Sequence, residues 1–374
     1  MYIPQYHLDK LRSLSSKKVT IIFGPRRVGK TTLIKKFLED QQDYLFVTGE
    51  DMIVQKQLSG LSLEKLKNFI GNKKLLVIDE AQYIPQIGMT LKLIIDHIDN
   101  VRVIATGSST FDLAKQVGEP LTGRQYIIRM FPISQIELNK VEDTVQTESL
   151  LESRLIYGSY PEVITDRDRE VRKEYLRELV SSYLFKDILA FDGIKKSKKM
   201  LDLLTLIAFQ IGKEVSHSEL ATQLSLNKGT IERYLDLLEQ VFVLVNIRGF
   251  SRNLRKEVTK MSRYYFYDNG IRNALINNFN TLSYRNDVGM LWENYIVMER
   301  IKKQHFHSIH SNNYFWRTYD QKELDWLEER EGKLFGYEFK WNHTKAKAPK
   351  LWLDTYPNAS FECINKANYL EFIS

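Results

Sequence analysis

The sequence predicts an α/β chain. A parallel five-stranded sheet with helices on both faces comes first, then a helical and helix-turn-helix middle, then a small α/β end. Three stretches carry that prediction. Val19–Phe23 is a short β-branched and aromatic run, followed by a glycine loop and by apolar residues at helical spacing over 32–38. Residues 75–78 form a continuous apolar strand that ends in Asp79 and Glu80. Near the other end, 323–328 and 334–339 read as two strands joined by a turn at Arg330, Glu331 and Gly332.

The glycine loop defines the first candidate site. Gly24-Pro25-Arg26-Arg27-Val28-Gly29-Lys30-Thr31 fits G-x-x-x-x-G-K-[ST] at every fixed position, between a strand and the helix that Thr32 continues. Glycines at 24 and 29 let the backbone curl around a phosphate chain with its N–H groups turned inward. The helix opening at Lys30 adds its positive end. The Lys30 ammonium can reach the β- and γ-phosphates, and the Thr31 hydroxyl suits Mg²⁺, a hard cation that prefers oxygen. ATP and Mg²⁺ are therefore the expected ligands, and residues 24–32 the expected binding segment. Arg26 and Arg27 either touch phosphate or are solvated.

Composition sets the frame. At 374 residues, two or three domains are expected. The chain is 43% hydrophobic and 27% charged, and its 8 prolines and 18 glycines argue against long disordered segments. A net charge of +7 permits a nucleic-acid partner without demanding one. The single cysteine, Cys363, excludes an internal disulfide and suits a reducing, cytoplasmic location. No apolar run approaches membrane length and no signal-peptide core is visible, so neither a membrane partner nor a leader is expected.

In chain order, residues 1–18 read as a helical lead-in, whose Tyr2 and Tyr6 either stack on a base or pack in the core. Tyr44–Thr48 is the second strand, and 62–70 an amphipathic helix. The strand at 75–79 makes a Walker B pattern. Asp79 would bind the Mg²⁺ shell through water, and Glu80 would orient and polarise the attacking water; otherwise both are ordinary solvated acids. Residues 101–106 form the next strand. Its tip should lie beside the glycine loop, because ligands collect at the carboxyl ends of parallel strands. Thr106 and Ser108 are candidates to contact the γ-phosphate or the attacking water, unless they only cap a turn. Arg124, just before a fifth strand at 125–130, would be an arginine finger or an internal γ-phosphate sensor, or a surface residue.

Five segments together carry a resemblance: GPRRVGKTTL, LLVIDEAQYIP, ATGSS, LTGR with MFPIS, and YGSYPEVI. They resemble the bacterial and archaeal AAA-type ATPases that have a distinctive C-terminal region. The resemblance implies ATP binding and hydrolysis, with Glu80, Lys30 and Arg124 in catalytic roles. A finger at Arg124 would come from a neighbouring protomer, so a homo-oligomer or a protein partner is implied. The ATPase domain is expected over 1–155 and a helical lid or linker over 156–195.

A helix-turn-helix follows. Ser216 caps a short helix, 225–227 is the turn and 228–240 the second helix; the strand behind it makes a winged-helix reading over 196–262. Arg248, Arg252, Arg255, Lys256, Lys260 and Arg263 could grip DNA phosphates, or the module could serve packing.

The last segment, 263–374, holds the second candidate site. Asp325, Glu338 and Lys340 fit D…E-x-K, and period-two geometry puts Glu338 and Lys340 on one face. This resembles the PD-(D/E)XK nuclease fold. The resemblance implies that Asp325 and Glu338 hold a divalent ion, that Lys340 steadies the reacting group and that Glu293 is an additional acid. The end of the chain is then either a DNA-cutting module or a platform for a nucleotide-driven switch.

Overall fold

The computed structural model describes residues 2–107, 121–184, 197–250, 262–318, 321–342 and 346–374. They form two compact units, one of residues 2–132 with 240–242 and one of residues 133–239 with 243–374.

The first unit runs α1 (His7–Ser13), β1 (Val19–Phe23), α2 (Lys30–Leu38), β2 (Tyr44–Thr48), α3 (Met52–Leu58), α4 (Leu63–Ile70), β3 (Leu75–Asp79), α5 (Ile87–His97), β4 (Arg102–Gly107) and β5 (Gln125–Arg129). Among the described residues, its sheet has five strands in the order β2-β3-β4-β1-β5, every pair parallel. The α/β class and the five parallel strands agree with the sequence. Every residue of β1 and of β3 is buried, which is why these strands are unbroken apolar runs: both faces are covered. β2 and β5 lie at the edges and alternate with partly exposed side chains such as Tyr44, Phe46 and Ile127. With β4 lying between β1 and β3, the carboxyl ends of these three strands adjoin. Phe23 is level with Gly107, and Ile78 with Ala105.

The second unit begins with α6 (Gln135–Leu138), α7 (Thr144–Tyr157), α8 (Pro161–Thr165), α9 (Arg169–Glu178) and α10 (Ser197–Phe209). Then come β6 (Glu214–Val215), α11 (His217–Leu224), α12 (Lys228–Gln240), β7 (Leu244–Gly249), β8 (Ser262–Phe266), α13 (Asn269–Leu275) and α14 (Val288–Phe306). It closes with β9 (Asn312–Arg317), β10 (Glu323–Arg330), β11 (Lys333–Phe339), α15 (Lys350–Thr355), β12 (Ser360–Ile364) and α16 (Tyr369–Ile373). Ser216 caps α11 by accepting the Glu219 N–H. Among the described residues, β6 and the two strands after α12 join those of the chain's end in one seven-stranded sheet, β12-β11-β10-β9-β7-β8-β6. The β10–β11 turn is shorter than the sequence suggests. Arg330 stays in the strand opposite Lys333, and only Glu331 (φ 50°) and Gly332 (φ 76°) turn, the two positive φ values of a tight hairpin.

An aromatic core of Tyr265, Trp292, Phe315, Trp326 and Tyr369 fills this unit. An ion pair lies beside it. Arg300 donates to both carboxylate oxygens of Glu328, at 2.6 and 2.9 Å, and Trp326 Nε1 donates to the same group at 3.0 Å. Gly158 (φ 76°) abuts Asp268, whose carboxylate accepts the Ser159 N–H at 2.7 Å and the Gly270 N–H at 2.8 Å. Among the described residues, no helix is long and apolar enough to cross a membrane.

Candidate functional site

The glycine loop leaves β1 at Gly24, where a Cβ would come within 2.7 Å of the Met130 carbonyl oxygen, so a side chain is excluded. Gly29 has φ 93°, and its carbonyl accepts from Gln5 Nε2 at 3.2 Å. Pro25 and Val28 are buried, Thr32 is exposed, and Arg27 takes φ 61°. Arg26 donates to the Tyr83 hydroxyl at 3.1 Å, tying the loop to the segment after β3. Lys30 is buried, and its ammonium donates to the Gly24 and Pro25 carbonyls at 2.9 Å each.

β3 and β4 complete the arrangement. Thr31 Oγ1 donates to Asp79 Oδ2 at 2.9 Å. The fully buried Thr106 hydroxyl donates to Asp79 Oδ1 and accepts the Glu80 N–H. A hydroxyl has one hydrogen, and that of Thr106 is given to Asp79. Glu80 sits in the left-handed region at φ 49°, ψ 46°. Strain of that kind persists where surrounding groups enforce it. Here the Gly49 N–H donates to the Asp79 carbonyl at 2.7 Å, and a Cβ on Gly49 would lie 2.4 Å from the Glu80 carbonyl oxygen. Gln82 Nε2 donates to Glu80 Oε2. The two acids are thus fixed in orientation at the tip of β3, with Thr31 from the glycine loop bound to the first of them.

In the second unit, Asp325 lies on β10, Glu338 on β11, Lys340 just beyond β11 and Glu293 on α14. Lys340 Nζ donates to Glu338 Oε1 at 2.6 Å, and the Phe339 N–H donates to Asp325 Oδ2 at 2.8 Å. The Tyr265 hydroxyl donates to Glu293 Oε1 at 2.7 Å. Burial pushes the Glu293 and Asp325 carboxyls well above the ordinary carboxylate range. Arg263 is not part of a solvent-facing basic strip. It is 3% exposed and points into these acids, because β8 is buried along nearly all its length. Arg252, Arg255, Lys256 and Lys260 lie outside the described residues. On α12, Lys228 pairs with Glu232 at 3.5 Å, so that cation is partly spent within the helix. Among the described residues, no group of three or more His, Cys, Asp or Glu side chains is arranged to hold a metal ion.

Residues 16–139 match the family described as an AAA domain. The chain carries an AAA-type nucleotide-binding domain. Residues 148–282 and 288–359 match two domains of unknown function, DUF8612 and DUF4143. An uncharacterized protein of Mycobacterium tuberculosis is 25% identical over 334 residues, covering 88% of this chain and 71% of its own. An uncharacterized protein of Methanocaldococcus jannaschii is 24% identical over 340 residues, 84% of this chain and 73% of its own. The solved structure "Structural Basis for Katanin Self-Assembly" aligns with a TM-score of 0.27 at 17% identity, over 50% of this chain and 66% of that one, a likeness too loose to carry an argument.

Within the AAA domain, Ser108 lies outside the described residues, while Arg124 is placed clearly. Its carbonyl accepts the Val19 N–H, which puts it beside the start of β1; the glycine loop leaves the other end of that strand. Five strand residues separate the two by about 15 Å. The Arg124 Nε pairs with Asp96 at 2.8 Å. The arginine at the nucleotide end of β5 is Arg129, level with Phe23. Its guanidinium lies 5.4 Å from the Phe131 ring, and burial lowers its pKa to about 10. Tyr2 is exposed with the Lys36 ammonium over its ring, and Tyr6 packs edge-on against His7.

Proposed function

We propose that the chain hydrolyses ATP in a Mg²⁺-dependent reaction at the joined carboxyl ends of β1, β3 and β4. The observation that carries this reading is the run of hydrogen bonds from Thr31 to Asp79 to Thr106 to Glu80, which ties the phosphate loop to the acid pair. Mg²⁺ fits the pair Thr31 and Asp79, two hard oxygen donors whose side-chain oxygens are already neighbours. When bound, the ion supplies positive charge against the phosphate oxygens. The loop N–H groups and the helix α2 terminus hold the phosphates. Lys30 exchanges its two loop carbonyls for phosphate oxygens. Glu80 orients the attacking water and accepts its proton, with its backbone held by Thr106 and its carboxylate by Gln82.

Two substitutions test the roles separately. Lys30→Ala is expected to weaken nucleotide binding about 10- to 100-fold, the scale of one charge-assisted contact, in a fluorescent-nucleotide titration. Unchanged affinity would remove Lys30 from the phosphate site. Thr106→Val keeps the shape but deletes both hydrogen bonds. Turnover is expected to fall about 10- to 100-fold with nucleotide affinity unaltered, the rate cost of two lost bonds. Wild-type turnover would mean that the acids keep their orientation without Thr106.

For the output, we propose a nucleotide-driven switch acting on a protein partner or a second copy. The burial of Arg263 and the acids Glu232, Asp236 and Glu239 on α12 support this over a DNA partner. Arg124 lies too far from its own loop to act there and is assigned as a finger lent to a neighbouring copy.

A further inference from the structure

The acids of the second unit have the residue types of a divalent-metal site, yet each already holds a donor of the protein's own. Glu338 is held by the Lys340 ammonium, Asp325 by the Phe339 N–H and Glu293 by the Tyr265 hydroxyl. Between the last two comes Arg263, with one terminal nitrogen 3.8 Å from Glu293 Oε1 and 3.8 Å from Asp325 Oδ1. Its other terminal nitrogen donates to Glu323 Oε2 at 2.8 Å. The guanidinium stacks on the buried Phe315 ring, 4.4 Å from the centroid. Backbone closes over the acids as well: a Cβ on Gly212 would lie 2.9 Å from Glu293 Oε1. A second guanidinium, Arg317, bonds Glu214 at 3.1 Å and lies 4.0 Å from Glu323.

We propose that Arg263 is the resident cation of this cluster, standing where a divalent ion would otherwise bind, so that the second unit is a non-cutting module. The chemistry favours a permanent occupant. A guanidinium does not lose its proton in a protein, and its planar fork can face three acids from one position. A divalent ion between Glu293 and Asp325 would sit against that fixed positive charge. It would also have to share both carboxylates with the donors already on them. Removing the guanidinium, in contrast, would leave buried acids without a counter-charge, which proteins tolerate poorly.

The test uses the full chain without nucleotide. Mn²⁺ binding, read by electron paramagnetic resonance, is compared between wild type and Asp325→Asn, and both are incubated with plasmid DNA and Mn²⁺. The expected result is superimposable isotherms and uncut DNA. An Mn²⁺ site or a cleavage activity that disappears in Asp325→Asn would overturn the proposal. Urea unfolding of Arg263→Met and Arg263→Lys supplies the second arm. Arg263→Lys, which keeps the charge, is expected to hold a midpoint closer to wild type than the apolar Arg263→Met. Equal stability of Arg263→Met and wild type would show that the acids need no internal cation and would also overturn it. If Arg263→Met does not fold while Arg263→Lys does, the counter-charge role is upheld.

Discussion

Glu80→Gln is expected to slow ATP turnover by roughly 10²–10⁴, the scale of lost general-base help, while leaving nucleotide affinity unchanged. The amide is isosteric with the carboxylate, so the left-handed backbone at 80 and the bond from the Glu80 N–H to Thr106 survive the change. What is lost is the anion that polarises water and takes its proton. Binding rests on other atoms: the loop N–H groups, Lys30 and Thr31. Single-turnover hydrolysis together with a nucleotide titration separates the two effects. Turnover within threefold of wild type would place the base elsewhere and undo the assignment of the β3 acids. A parallel loss of affinity would mean instead that Glu80 helps to shape the loop.

Gly158→Ala is the second large effect, and it acts on stability alone. A Cβ at 158 would lie 1.8 Å from Asp268 Oδ1, at a φ of 76° that already disfavours any side chain. The Asp268 carboxylate cannot retreat without abandoning the Ser159 and Gly270 N–H groups, both buried. Left-handed strain and orphaned buried donors together cost on the order of 3–5 kcal/mol. Gly289→Ala is the matched control, since nothing lies within 4 Å of its Cβ position and it sits in the first turn of α14. Urea denaturation of both variants should show a large loss for the first and almost none for the second. Equal midpoints would show that Asp268 relocates at little cost.

The phosphate loop and the acid pair on β3 were readable because their chemistry needs contiguous residues: a glycine turn, a lysine and a hydroxyl in one loop, two acids at the end of one strand. Thr106 was readable as a strand-tip hydroxyl, but its attachment to Asp79 and Glu80 depends on β4 lying between β1 and β3, which no local pattern specifies. Gly49 and Gln82 act at short range in space on a strained Glu80, and strain leaves no mark in composition. For Arg124 the signal was available. The rule that ligands gather at the carboxyl ends of parallel strands points to Arg129 at the end of β5, not to the arginine before it. In the sequence Arg263 reads with the cations that could grip phosphates, because basic residues crowd the stretch before it. Its burial follows from long-range sheet pairing that brings β8, β10 and α14 together.

The large sheet has a narrow seam. Among the described residues, β7 and β9 meet over two paired positions, Arg248 with Tyr314 and Gly249 with Phe315, followed by one more bond from the Phe250 N–H to the Phe315 carbonyl. On one side hang the strands that flank the helix-turn-helix, and on the other the long hairpin. Few backbone bonds resist bending there. Arg263 comes from β8 on one side and grips Glu323 and Asp325 from β10 on the other, with its face against Phe315 of β9. The buried guanidinium thus crosses the short β7–β9 junction and ties the strands on its two sides together. A perturbation that loosened it would let the two halves flex as separate plates, without breaking either ladder.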